Sequence, residues 1–155
     1  MRVLALLAAV LALVAIGTAE ALESVGELSD LPGRGLPSVS PRGTVLTGAA
    51  FVASMAVYAI VGWSTARAGL REREAVRAGA FVGSLAGLIG GAIRAYLVAD
   101  YLSYQLARYG FGNEVLWPSL VIYALLAIVA SAAGGGAITW LSFRLARPRS
   151  PRPQP

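Results

Sequence analysis

Arg94, Asp100, Tyr104 and Arg108 are the residues that could do chemistry in the middle of this chain. Asp100, Tyr104 and Arg108 recur every fourth residue, so a helix would stack them on one face. Arg94 stands just before them. Such a seam has two uses: a polar site for a ligand or partner, or an interfacial anchor. A second polar set is Glu20, Glu23, Glu27 and Asp30 in "EALESVGELSD". At about 100° per residue these carboxylates share a sector of roughly 80°, opposite Ala21, Leu22, Val25 and Leu28. Four carboxylates could hold a hard cation or a basic partner. A solvated face is the simpler reading, and no metal site is assigned.

What the chain lacks narrows the chemistry further. It has no Cys, His or Lys, and all thirteen basic residues are Arg. Thiolate nucleophiles, disulfides and thiolate zinc sites are therefore excluded. So are imidazole bases and Schiff-base lysines. No P-loop, G-x-S-x-G or strand-linked G-x-G-x-x-G motif occurs. No catalytic residue and no cofactor is expected, and the protein is read as non-enzymatic.

These residues must be positioned by apolar elements. The chain is 57% hydrophobic and only 14% charged, with a mean hydropathy of +0.68; soluble domains carry about 25% charged residues. The apolar residues gather in four blocks: Val3 to Ala19, Thr44 to Trp63, Ala78 to Val98 and Pro118 to Phe143. Each approaches or exceeds the length that crosses a hydrocarbon core of about 30 Å. The expected fold is an all-α, polytopic integral membrane protein, a four-helix transmembrane bundle. Residues 1–20 are a first transmembrane helix or a signal peptide, since Ala19-Glu20-Ala21 resembles a cleavage site; cleavage would leave three spans. Residues 21–43 form an extracytoplasmic acidic amphipathic helix and loop, 44–143 a three-span core, and 144–155 an Arg/Pro-rich tail. Pro118 is expected in the first turn of its helix, where a missing N–H costs nothing. No Asp or Glu is expected within a span. Arg94 is the one charge inside a block, about 24 Å across from Ala78 and within snorkelling reach of the far edge.

Arginine placement gives an orientation. Arg67, Arg71, Arg73 and Arg77 lie between blocks two and three, and Arg144, Arg147, Arg149 and Arg152 follow block four. The positive-inside rule puts both segments in the cytoplasm, here of a bacterial cell with the protein in its cytoplasmic membrane. Trp63, Arg67, Trp117, Trp140 and Arg144 are expected as interfacial anchors. The repeated "WSTAR" and "WLSFR" place each Arg one turn past a Trp, able to reach lipid phosphate and lie on the ring. The basic tail lacks aromatic interleaving, so lipid rather than nucleic acid is its expected partner.

The stretch "GAFVGSLAGLIGG" sets Gly79, Gly83, Gly87 and Gly91 four apart. Helices in lipid gain nothing hydrophobic by meeting, so small residues that permit close packing hold them together. A glycine-zipper contact is expected with Ser131, Gly134, Gly135 and Gly136, with Gly83 and Gly87 facing Ser131 to Gly136. The rival use is self-association between protomers. The expected function is a small non-enzymatic membrane protein, an accessory or packing subunit whose partner is a second copy or another membrane protein. The alternative is an oligomeric pore, holin-like or passing small solutes.

Overall fold

The computed structural model describes residues 3–29 and 41–147. The loop and tail expected outside those ranges lie beyond the described residues. Four helices follow one another: α1 (Val3–Ser29), α2 (Pro41–Arg67), α3 (Glu72–Arg108) and α4 (Asn113–Ala146). All four are long and apolar enough to cross a membrane, and no strand occurs among the described residues. The chain is an all-α protein with four candidate membrane spans.

Every helix is longer than its apolar block. α1 absorbs the acidic segment without a break. α3 starts where Glu74 accepts the Arg71 backbone N–H at 2.7 Å, satisfying one of the orphan donors of a helix end. Gly69, at φ +69°, makes the turn before it, and Gly110, at φ +78°, turns the chain from α3 into α4; both need the left-handed region that glycine enters freely. Because α4 begins at Asn113, Pro118 lies inside the helix rather than in its first turn. It removes the N–H that would bond to the Glu114 carbonyl.

Successive helices alternate in direction, so α1 runs parallel to α3 and α2 to α4. α1 contacts α2 and α3, α4 contacts the same two, and α1 and α4 do not meet among the described residues. The bundle is thus a ring in the order α1, α2, α4, α3, with α2 and α3 touching across it. Ala9, Val10 and Leu13 of α1, Tyr58 and Val61 of α2, and Val82 and Ala86 of α3 form the principal core. A second cluster joins Ala95 to Leu116 and Leu120, with Ala99, Leu102 and Leu106 packed against it, so the ends of α3 and α4 beyond their apolar blocks pack on each other. The outward faces are apolar: Val121, Ile122, Leu125, Leu126 and Val129 of α4 are exposed. A surface of that kind suits lipid and would be costly in water.

Candidate functional site

The glycines fall into two groups with opposite roles. A Cβ on Gly83 would collide with the Ser131 carbonyl oxygen, and one on Gly79 with the Thr139 side chain. At Gly87 it would come within 2.9 Å of the Ala127 carbonyl, and at Gly91 within 3.2 Å of the Ala127 methyl. α3 and α4 therefore touch backbone to backbone. Gly83 meets Ser131 and Ala132, inside the expected Ser131-to-Gly136 stretch, and Gly87 meets Ser131 together with Ala127 and Ile128 one turn earlier along α4. Gly135 is clamped between the Tyr58 ring and the Gly79 carbonyl, and Gly136 makes ordinary contact with Ala80 and Val76.

Gly134 is a correction to the expected packing set. A Cβ there would find nothing within 4 Å, as at Gly17 and Gly90. All three line a cavity of about 420 Å³ at the centre of the ring. Neighbouring glycines on one helix necessarily point about 100° apart, so Gly135 packs while Gly134 leaves space. Leu13, Ile16, Phe51, Met55 and Ile138 supply the apolar wall, with Ser54, Tyr58 and Ser131 as its sparse polar groups.

At one end of this cavity each helix contributes one polar side chain: Glu20, Thr47, Arg94 and Tyr123. Arg94 forms an ion pair with Glu20 Oε2, and Thr47 Oγ1 donates to Glu20 Oε1 at 3.2 Å. Tyr123 lines this end of the cavity beside Arg94. The expectation that no carboxylate lies in a span is corrected, because Glu20 sits within the candidate span Val3–Gly26. The pairing has a plain cause. An unpaired ionised group in an apolar bundle is costly, and its nearest opposite charge relieves it. Asp100, Tyr104 and Arg108 are exposed farther along α3, and Arg94 pairs with Glu20 rather than with Asp100.

Beyond the other end of the cavity the helices close. Thr65, Val82, Thr139 and Phe143 are fully buried, and a Cβ on Gly62 would strike the Thr139 carbonyl. Thr139 Oγ1 donates across to the Tyr58 carbonyl at 3.3 Å. At the bundle edge Arg67 lies 3.8 Å over the Trp63 ring and Arg144 lies 4.4 Å over Trp140. Glu72 joins this edge, accepting from the Trp140 indole and from Arg144 Nε at 3.1 Å. Trp117 is exposed near the opposite end.

Sequence reasoning missed Gly17, Thr47, Gly62, Gly90 and Tyr123, and it put Glu20 on a solvated face. A usable signal existed for Glu20 alone: a carboxylate at the edge of one block, at the depth of a lone arginine in another. Comparison with protein-family models, curated proteins and solved structures gave no match, so the chemistry of the site itself must carry the reading.

Proposed function

We propose that this chain is a non-enzymatic accessory protein of a bacterial cytoplasmic membrane, acting by association within the bilayer. The observation that carries this reading is the self-neutralised interior: the carboxylate and the guanidinium that line the cavity, Glu20 and Arg94, satisfy each other. Burial of Thr65, Val82, Thr139 and Phe143 blocks a path through one protomer, so the alternative of an oligomeric pore would need its path between protomers. The four-spaced glycines meet α4 of the same chain, so a glycine zipper between protomers loses its basis and association falls to the apolar outer faces. Retention of α1 is supported by its core contacts and by the burial of Ala21, which shields the cleavage-like site.

Reconstituted into vesicles, the protein should leave potassium and proton leak within about twofold of empty vesicles, while a tagged copy extracted in mild detergent carries a stoichiometric membrane-protein partner. Leak that rises with protein density would replace this reading with the pore. The orientation rests on the arginines gathered at the end bearing Arg67, Arg71, Arg73, Arg77 and Arg144. In intact cells an impermeant thiol reagent should label Phe111→Cys and spare Arg71→Cys in this cysteine-free chain. The opposite pattern would invert the topology.

A further inference from the structure

We propose that the central cavity binds an uncharged, single-chain amphiphile drawn from the bilayer, with its hydroxyl or carbonyl headgroup at the Glu20–Arg94 pair. The cavity has a size typical of ligand sites, about 300–1,000 Å³, at 420 Å³. Its walls are bare where Gly17, Gly90 and Gly134 stand, which leaves room for a hydrocarbon chain against Leu13 and Phe51.

The headgroup class follows from the charges. Glu20 already accepts from Arg94 and Thr47, so the polar end of the cavity carries no net charge. An anionic headgroup would have to draw Arg94 from Glu20, and a cationic one would have to draw Glu20 from Arg94. Either exchange strands a charge in an apolar setting. A neutral oxygen needs neither. A guanidinium offers five N–H donors and a carboxylate several lone-pair directions, so a hydroxyl or carbonyl can join without breaking the pair.

The source of the ligand follows from access. Phe51 on α2 is 63% exposed and Tyr123 on α4 is 41% exposed, yet both line the cavity. These two helices touch farther along, where Gly62 and Gly135 meet Thr139 and Tyr58. The cavity therefore opens sideways between α2 and α4, toward the apolar flank of the bundle. A molecule dissolved in the membrane reaches it without crossing water.

The test uses the full chain in phosphatidylcholine nanodiscs and three dodecyl probes with a mid-chain diazirine, ending in a hydroxyl, a carboxylate or a trimethylammonium group. The alcohol should label peptides around the cavity-lining Phe51 and Ala130 about tenfold more than either charged probe, a preference equivalent to about 1.4 kcal/mol, and excess dodecanol should compete it away. A Cβ added at Gly90 or Gly134 meets nothing within 4 Å, so Gly90→Leu and Gly134→Leu send their side chains into the cavity. They should abolish that labelling while leaving Tm unchanged. Glu20→Gln leaves Arg94 uncompensated and should transfer the preference to the carboxylate. Equal labelling by all three probes, undiminished labelling in the filled variants, or an unchanged ranking in Glu20→Gln would each overturn the proposal. If Glu20→Gln fails to accumulate, the filled variants decide alone.

Discussion

Replacing Gly83 with leucine is expected to part α3 from α4 and to rank among the most destabilising single glycine changes. Its added carbons would occupy the place of the Ser131 carbonyl, with Ala132 Cα 3.1 Å away. Neither is the movable end of a side chain, so the helices themselves must shift. Overpacking of a tight interior costs about 1–3 kcal/mol; Gly83→Ala should fall in that range and Gly83→Leu at or above its top. Gly134→Leu is the control, since a Cβ there meets nothing within 4 Å and the position lines the cavity. A cysteine pair supplies the structural readout. An added Cβ at Gly136 would stand 3.7 Å from the Ala80 methyl, within the Cβ separation of about 3.5–4.5 Å that a disulfide requires. Ala80→Cys/Gly136→Cys should cross-link on oxidation, and the link should fail when Gly83→Leu is added. A cross-link that survives, with unfolding unchanged, would show that α3 and α4 are not held by this contact.

The second large effect concerns the ion pair. Arg94→Leu leaves the Glu20 carboxylate without its cation, and Glu20→Leu strands the guanidinium. Losing one partner of a fully buried pair costs about 3–5 kcal/mol. Here the side chains keep 34% and 18% of their exposure, so about 2 kcal/mol is expected for each single change. The double variant Glu20→Leu/Arg94→Leu removes both charges and should recover most of the loss, because matched apolar residues often replace a buried pair without penalty. Unfolding in mixed micelles would measure the cycle. If the single losses simply add in the double variant, the two residues are not coupled. Arg94 would then be an interfacial anchor.

Much of the fold was legible because hydropathy is read along the chain and a membrane helix has a length set by physics. The four long apolar helices and their order needed nothing else, while hydropathy left the first open as a span or a signal peptide. The interior was less legible, because pairing between helices is not written in local periodicity. Glu20 and Arg94 are distant in sequence, and the acidic periodicity around Glu20 pointed to a solvated face. Gly62 has no four-spaced companion, yet it sits as tightly as Gly83. Gly134 and Gly135 are chemically identical, and only the rotation of α4 about its axis separates a contact from a void. Helix ends were underestimated wherever polar residues continue the helix beyond the apolar block, as in the last turns of α3 that pack on Leu116 and Leu120.

The Glu72 contact with Trp140 and Arg144 has a bearing on assembly order. α3 and α4 are joined by the four residues Tyr109 to Gly112, and Glu72 ties their far ends together. Contacts beside that short loop, where Leu106 packs on the cluster of Leu116 and Leu120, need little loop closure and form early. Zipping along the pair then brings Glu72 to Trp140 and Arg144, 68 and 72 residues away. The last two helices can therefore come together as a hairpin before the first has found its place. α1 meets α3 across a long separation in sequence, and its ion pair is the bond that seats it. The central void exists only once that late step is complete, so a nascent chain still lacking it would present Arg94 bare to the membrane.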